Sequence, residues 1–423
     1  MAHHLLTDVG ISRPNNEDFV VADETLGVYI LCDGVGGNNA GEYASATAAN
    51  YVLESLKKNL SLIQDVKKDP GLKNRHDLKQ LLQKTINEAS TKIHTEASQD
   101  IKKLGMATTL DVLLIAKKYA FIAHVGDSRV YLLRQGKVHP MTDDHTVGME
   151  FVKTGQSTLE QAKKSPYWNV LSRAVGAQPF VKADVIEMEI AESDYFLMMS
   201  DGVSDVMSSE ELAKISDKSE PASITKKLIE AAKAKKSKDN LSAIAVHIDE
   251  RTEVTLNIGV VRKIEVISQV SLFRFCTYKD LTLLLNRFLL QRYKDGQTIC
   301  EEKSPSDAIY VILSGEVEVD QAGVDLVHRK PGEVLGEMGV LEALPRSAAL
   351  LAKEETELLV LPRDQLIALL KEDSRLAVKL LWALCQEQSK RLRVVTQNWV
   401  VSQTTPDDKQ TNQPFIPLIE LPE

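Results

Sequence analysis

The sequence predicts an α+β protein of two domains, and three observations lead to that class. Apolar runs such as residues 28–32 and 195–199 have the length and composition of buried strands. Two longer stretches, 41–60 and 77–96, show helical spacing of their apolar residues. The chain has 423 residues, which exceeds the usual size of one domain.

The first half of the chain is predicted to mix strands and helices. Further strands are predicted at 110–116, 119–124, 130–134, 195–200 and 243–248. Residues 145–177 loosen into polar and turn-like pieces, which suits an insertion beside a site. A polar run at 249–253 marks a boundary, so the predicted domain covers 1–250 and a linker covers 251–265.

The second half is predicted to hold a strand-rich core between helices. Helical character at 266–288 precedes strands at 308–313, 316–319 and 358–361, with glycine turns between them. An amphipathic helix is predicted over about 363–393. The second domain is therefore predicted at 266–396, and the polar, proline-bearing residues 397–423 are predicted to be a flexible tail.

Composition and charge narrow the functional classes. A formal net charge of −9 argues against a general nucleic-acid partner. No apolar stretch reaches the length of a membrane span, and the N-terminus lacks the pattern of a signal peptide. The four cysteines lie far apart and show no metal-binding or redox spacing, which indicates free thiols in a reducing compartment. These features predict a cytoplasmic protein without membrane insertion.

Acidic residues stand at the ends of the predicted strands. Asp33 and Asp201 each follow an apolar run and precede a glycine, and Glu17, Asp18 and Asp239 lie beside apolar segments. Converging carboxylates repel one another, so a cation is expected to neutralise them. Oxygen ligands favour Mg²⁺ or Mn²⁺ over zinc. One Asp-Gly pair alone would indicate only a turn.

An ordered set of motifs resembles the metal-dependent type 2C protein serine/threonine phosphatases in their bacterial form. The set comprises Arg13 with 16–18, then 32–37, 105–109, 124–129, 142–145, 169–176, 200–202 and 238–240. The resemblance implies a β-sandwich flanked by helices and hydrolysis of phosphoserine and phosphothreonine by a metal-activated water. It also implies phosphorylated protein substrates and an opposing serine/threonine kinase.

The same resemblance assigns metal ligands. Asp33 would bridge two Mn²⁺ or Mg²⁺ ions, with the Gly34 carbonyl on one ion and Asp201 and Asp239 on the other. Asp127 would bind a third, weaker ion. Two ions held this way lower the pKa of a shared water and align it for attack on phosphorus.

Further residues would act around these ions. Glu17 and Asp18 would act mainly through bound waters, and Arg13 would hold the substrate phosphate through its planar guanidinium. Many eukaryotic members carry a histidine, assigned to leaving-group protonation, where this chain has Val35, so the proton donor stays open. Residues 145–177 resemble the family's flap beside the active site.

Residues 336–349 resemble the phosphate-binding cassette of cyclic nucleotide-binding domains. The resemblance extends over roughly 266–393 and implies a β-roll with flanking helices. Glu337 would accept a hydrogen bond from the ribose 2′-hydroxyl, and the backbone of Gly336 and Met338 would complete the cradle for the cyclic phosphate.

Two further cassette residues bear on the ligand. Arg346 would add charge-assisted hydrogen bonds to the phosphate. Ser347 is compatible with both cAMP and cGMP, and cAMP is favoured. The regulatory ligand predicted is therefore a cyclic nucleotide.

The two resemblances together predict a phosphatase under allosteric control by a cyclic nucleotide in one signalling chain. Two alternatives are a pseudophosphatase scaffold gated by nucleotide, and an active phosphatase whose sensor is vestigial and serves dimerisation. A homodimer is accordingly one of the partner arrangements considered.

Overall fold

The computed structural model describes residues 1–36, 40–216, 219–249, 258–321, 324–336 and 344–403. The chain divides into two compact units. The first comprises Met1–Glu265 with Thr277–Phe288, and the second comprises Val266–Cys276 with Leu289–Glu423. The units interleave along the chain, because 277–288, which we expected to open the second domain, lies in the first unit.

Strands of the first unit form two antiparallel sheets. The strands are β1 (Ala2–Asp8), β2 (Asp18–Asp23), β3 (Val28–Val35), β4 (Ala107–Thr108), β5 (Leu110–Ala116), β6 (Tyr119–Val125), β7 (Arg129–Arg134), β8 (Lys137–Pro140), β9 (Asp184–Glu189), β10 (Tyr195–Met199) and β11 (Leu241–His247). One sheet has the order β1-β11-β10-β7-β8, and the other β2-β3-β5-β6-β9 with β4 paired to β3. The strands predicted for this half agree with these bounds to within two residues, except that the run 28–32 ends three residues before β3 does.

Helices cover the outer faces of the two sheets. The helices of this unit are α1 (Ala40–Lys58), α2 (Leu60–Lys68), α3 (Leu72–Gln99), α4 (Val147–Lys153), α5 (Leu159–Lys163), α6 (Asp201–Ser204), α7 (Ser209–Ser216), α8 (Pro221–Ala234), the start of α9 (Ile258–Gln269) and α10 (Tyr278–Leu285). The core between the sheets contains Tyr29 and Leu113 from one sheet and Phe196 and Ile244 from the other, all fully buried. The predicted α+β class, with a helix-flanked sandwich, is confirmed.

The second unit contains two smaller sheets. Its elements are β12 (Leu289–Tyr293), β13 (Thr298–Cys300), β14 (Ala308–Ser314), β15 (Val317–Gln321), β16 (Val324–Arg329), β17 (Val334–Leu335), β18 (Ala349–Ala352), β19 (Thr356–Pro362), α11 (Arg363–Glu372) and α12 (Ser374–Gln403). The sheets have the orders β12-β19-β14-β17 and β13-β18-β15-β16. Ile312, Val317 and Leu358 are fully buried in the core of this unit.

Two predicted helices are divided in the structure. The prediction of one helix over 363–393 is wrong, because Asp373 is extended and its carboxylate accepts a 3.0 Å hydrogen bond from the Leu376 amide, which begins α12 anew. The helical stretch 266–288 is likewise split between α9 and α10. Helix α12 also reaches into the predicted tail, whose residues 404–423 lie outside the described residues.

No helix in the described parts of the chain is both long enough and apolar enough to span a membrane.

Candidate metal centre and ligand pocket

Two aspartates meet where strands β2 and β3 pair. The antiparallel register places Asp18 opposite Asp33. The backbone of Asp33 is held on its other side: its carbonyl accepts hydrogen bonds from the Thr109 amide at 2.8 Å and the Thr108 hydroxyl at 2.9 Å. Its amide donates to the Thr109 hydroxyl at 2.9 Å. The end of β3 is therefore fixed by the two threonines.

The opposite sheet brings two more aspartates to the same place. Asp201 begins α6 directly after β10, and Asp239 precedes β11. The Ser200 hydroxyl donates a 2.9 Å hydrogen bond to an Asp18 oxygen, which ties the two sheets together. Asp201 is also within hydrogen-bonding reach of the Asp33 side chain. Asp18, Asp33 and Asp201 are thus linked by pairwise contacts at adjoining strand ends.

Glycines allow the backbones around these aspartates to approach closely. A Cβ at Gly34 would overlap the carbonyl oxygen of Gly41, and a Cβ at Gly202 would overlap that of Asn240. The Gly34 amide donates to the Glu17 carbonyl at 3.1 Å. The Asp-Gly pairs therefore serve tertiary packing as well as turning the chain.

Burial and mutual repulsion make the ionised form of these aspartates unfavourable in the folded protein. Burial, followed by the charges of neighbouring carboxylates, raises the pKa of Asp18 to about 7 and that of Asp201 to about 6. The pKa of Asp33 lies well above its usual value for the same reasons. One oxygen of Asp18 and one of Asp201 are buried without a hydrogen-bond partner in the part of the chain that the structure describes. A proton or a cation is needed to relieve this arrangement.

The donor chemistry fits a hard divalent cation, but the coordination set is not assembled in these side-chain positions. Among the described residues, no group of three or more His, Cys, Asp or Glu side chains is gathered so that it could hold a metal ion. One physical reason is visible at Asp239, whose carboxylate lies 2.8 Å from the guanidinium of Arg13. Repulsion between the remaining carboxylates acts in the same direction.

Asp127 lies beside a second charged network. Burial, followed by the charge of Asp201, raises the pKa of Asp127 to about 8. Two residues further on, Arg129 donates to both oxygens of Asp144, at 2.8 and 2.6 Å, and lies 2.8 Å from Asp205. No sequence motif singled out Asp205 as part of the site.

Asn240 has a structural role that sequence reasoning did not assign. Its side-chain oxygen accepts from the Glu17 amide at 2.9 Å, and its amide group donates to the carbonyls of Val9 at 3.0 Å and Asn15 at 2.8 Å. Asn240 therefore fastens the loop that carries Arg13 and Glu17 to the start of β11. Its position directly after Asp239 was the available signal.

The segment predicted as a flap is folded and anchored at both ends. It contains α4 and α5, and isolated bridges join Thr146 to Leu171 and Thr108 to Val175. Tyr167 in this segment is 56% exposed. The segment thus presents an aromatic side chain to solvent between two fixed ends.

The candidate nucleotide pocket is organised around Arg346. Its guanidinium donates to the carbonyl of Ala308 at 2.6 Å and to that of Gly336 at 3.3 Å, and it lies 4.9 Å from the ring centre of Tyr310. The side chain is buried, and its Nε has no hydrogen-bond partner among the described residues. Arg346 and Gly336 therefore lie in contact, and their binding of a cyclic phosphate stays a prediction.

The remaining cassette residues are only partly described. Ser347 is exposed. Glu337 and Met338 lie outside the described residues. Their predicted contacts with the ribose and the cyclic phosphate stay predictions.

Matches to known protein families cover the same two parts of the chain whose sequences resemble those families. Residues 12–244 match the family model described as Protein phosphatase 2C, and 290–373 match the Cyclic nucleotide-binding domain. Protein phosphatase PhpP of Streptococcus pneumoniae is 32% identical over 250 residues, covering 58% of this chain and 97% of that protein.

Solved structures agree with these matches. The serine/threonine phosphatase PstP/Ppp of Mycobacterium tuberculosis has a TM-score of 0.51 and 30% identity, covering 59% of this chain and 98% of that one. A structure of the PstP catalytic domain in complex with two manganese ions has a TM-score of 0.50 and 29% identity, with coverage of 59% and 98%.

Proposed function

Because the chain belongs to the protein phosphatase 2C family, we propose that it hydrolyses phosphoserine and phosphothreonine esters of proteins and that a cyclic nucleotide regulates this reaction. Family membership confirms the prediction of an enzyme. The observation that carries the proposed chemistry is the buried convergence of Asp18, Asp33 and Asp201 from the two sheets.

The acidic cluster would hold two or three Mn²⁺ or Mg²⁺ ions. Asp33, Asp201, Asp239 and the Gly34 carbonyl are the proposed ligands, and Asp127 is the proposed ligand of a third ion. One buried oxygen each of Asp18 and Asp201 has no hydrogen-bond partner from the described segments, which supports this assignment. When bound, such ions lower the pKa of the attacking water and orient the phosphoester for in-line displacement.

Residues at the rim would position the substrate. Arg13 is 52% exposed, so its guanidinium can exchange the Asp239 carboxylate for a phosphate without leaving a buried charge unpaired. Glu17 and Asp18 would orient bound waters, since one oxygen of Asp18 receives no hydrogen bond from any residue that the structure describes. Val35 cannot donate a proton, so the leaving group must be protonated by a group other than the side chain at that position.

The C-terminal domain is proposed to bind a cyclic nucleotide, with cAMP favoured over cGMP. Support comes from Arg346, whose buried Nε has no acceptor in the described parts of the chain, and a cyclic phosphate would supply one. Regulation requires that the nucleotide bind one conformational state of the chain more tightly than another. An opposing serine/threonine kinase would complete the phosphorylation cycle.

The test is hydrolysis of phosphoserine, phosphothreonine and phosphotyrosine peptides by the full chain in Mn²⁺. Asp33→Asn should abolish turnover, and Asp65→Asn, at an exposed helical position, serves as the matched control. Turnover of phosphotyrosine equal to that of phosphoserine would contradict the proposed specificity.

The same assay decides between the proposal and its alternatives. Peptide binding without turnover in the wild type would favour the pseudophosphatase scaffold. Turnover that ignores saturating cAMP and cGMP would favour a vestigial sensor, for which the bonds of Arg346 to two backbone carbonyls offer a basis.

A homodimer remains a proposal that the surface of α12 supports. Val378, Leu381, Leu392 and Val395 are all at least 47% exposed and are spaced at intervals typical of a helix-pair seam. Light scattering should show a dimer that Leu392→Glu dissociates. A monomer at micromolar concentration would contradict this. The cytoplasmic location stays a prediction.

A further inference from the structure

Helix α10 belongs to the first compact unit although the chain on both sides of it belongs to the second. Residues 266–276 and the chain from Leu289 onward lie in the second unit, whereas Thr277–Phe288 lies with the first. Strand β12 begins at Leu289, directly after this inserted segment. Only residues 286–288 separate the end of α10 from the start of β12.

Tyr278 joins α10 to the edge of the phosphatase sandwich. Its hydroxyl accepts a 2.9 Å hydrogen bond from Arg134, and its ring stacks on His139 with a centroid distance of 3.7 Å. Arg134 is itself buried and bonded to both oxygens of Asp194 at 2.8 and 2.6 Å. Tyr278 therefore rests on a fixed part of β7 and β8.

Two polar contacts hold the rest of the segment. Asn286 donates from its side-chain amide to the carbonyl of Glu187 at 2.6 Å. The Lys279 ammonium lies 3.0 Å from the carboxylate of Asp143, and Lys279 is only 15% exposed. Asp143 stands two residues before the predicted flap, so Lys279 joins α10 to residues 143–145, which we call the flap root.

The residues after Asp143 clamp the strand end that carries Asp127. The His145 amide donates to the Gly126 carbonyl at 2.7 Å, and the Gly126 amide donates back to the His145 ring at 3.2 Å. Asp144 holds Arg129 by two hydrogen bonds. Asp127 lies between these two attachment points.

We propose that α10 is the positioning element through which the C-terminal domain acts on Asp127, with Lys279 and Asp143 as the connecting ion pair. The inference rests on the proposed nucleotide regulation. A change in the second unit pulls on both ends of α10, and Lys279 passes the displacement to residues 143–145 and so to Asp127. Lys279 is a positioning residue, because it touches neither the acidic cluster nor Arg346 in the described contacts.

The test combines hydrogen exchange with nucleotide binding in the full chain, metal-free in EDTA. In the wild type, saturating cAMP should change the exchange rates of the amides at 126–129 and 143–147 at least threefold. Lys279→Met should reduce that change to less than 1.5-fold while leaving cAMP affinity, measured by calorimetry, within twofold. Lys279→Arg should restore the response.

Controls separate this role from general effects of charge and folding. Lys214→Met removes a lysine from an exposed position on α7 and should leave the response intact. Tyr278→Phe keeps the ring on His139 but removes the hydrogen bond to Arg134, and should weaken the response about twofold. Equal effects of Lys214→Met and Lys279→Met would overturn the assignment of Lys279.

A turnover measurement extends the test to the reaction. Lys279→Met should raise the Mn²⁺ concentration for half-maximal activity at least threefold and make it independent of cAMP. If cAMP binds and changes turnover but leaves exchange at 143–147 unaltered, the coupling through α10 is overturned and the regulation stands. If neither cAMP nor cGMP binds, both are overturned.

Discussion

Replacing Asp18 by asparagine should stabilise the metal-free protein at alkaline pH, although it alters the candidate site. Asp18 is buried, and burial with neighbouring carboxylates raises its pKa from 3.8 to about 7. The folded state therefore binds more protons than the unfolded chain between these pH values, and stability falls as the pH rises through that window. Asparagine removes the titrating charge and keeps an oxygen for the Ser200 hydroxyl.

The size of the effect follows from the pKa difference. At pH 8 the buried charge of Asp18 costs about 4 kcal/mol relative to a neutral side chain, and at pH 5 about 2 kcal/mol. The aspartate oxygen without a partner among the described residues becomes an amide NH₂ without an acceptor there, which lowers the free energy of unfolding by about 1 kcal/mol. The net gain at pH 8 is about 3 kcal/mol, or roughly 6 to 12 °C in the melting temperature of this unit.

The assay is scanning calorimetry of the full chain in EDTA at pH 5 and pH 8, with Asp65→Asn as the exposed control. The advantage of Asp18→Asn should shrink at pH 5, and Mn²⁺ should raise the melting temperature of the wild type more than that of the variant. A variant that melts at or below the wild-type temperature at pH 8 would refute the claim that the buried charge is costly.

Four further changes have outcomes set by contacts in the structure. Arg13→Ala should raise KM for a phosphopeptide about tenfold and change kcat less than threefold, as steady-state kinetics would show. Asn240→Ala removes three hydrogen bonds and should lower the free energy of unfolding by about 2 to 3 kcal/mol in a urea titration. Arg134→Met leaves Asp194 buried and charged, so it should lower the free energy of unfolding by about 3 to 5 kcal/mol in the same urea titration. Adding Asp194→Asn should restore part of that loss. Arg346→Ala should weaken cAMP binding at least a hundredfold in calorimetry without changing basal turnover.

The strands and the acidic residues at their ends could be predicted because their signals are local, whereas their arrangement as a sandwich was implied only by the family resemblance. Each apolar run that ends in an acidic residue fixes both a buried strand and the side chain at its tip, as at Asp33 and Asp201. The close backbone approach at Gly34 and Gly202 is seen only in the structure, because an Asp-Gly pair in sequence indicates no more than a turn. Local patterns do not reveal which loop is fastened to which strand, so the role of Asn240 was missed.

The predicted helix boundaries in the second half were wrong for a different reason. Apolar spacing continues across Asp373, so periodicity alone predicts one helix from 363 to 393. The carboxylate of Asp373 instead competes for the amide of Leu376, and this short-range hydrogen bond divides the helix. The placement of α10 depends on contacts with residues more than 90 positions away, which no local window contains.

The contacts of α10 also limit how strong any regulation through it can be. The pair of Lys279 and Asp143 is partly exposed, and such a pair contributes about 1 kcal/mol. That amount shifts an equilibrium about fivefold, so the pair alone cannot carry a larger nucleotide response. A response above fivefold would require Tyr278 to move as well, because its hydrogen bond and ring stacking tie α10 to Arg134 and His139. The ratio of the cAMP effects in Lys279→Met and Tyr278→Phe therefore measures how the coupling free energy is divided between the flap root and the sheet edge.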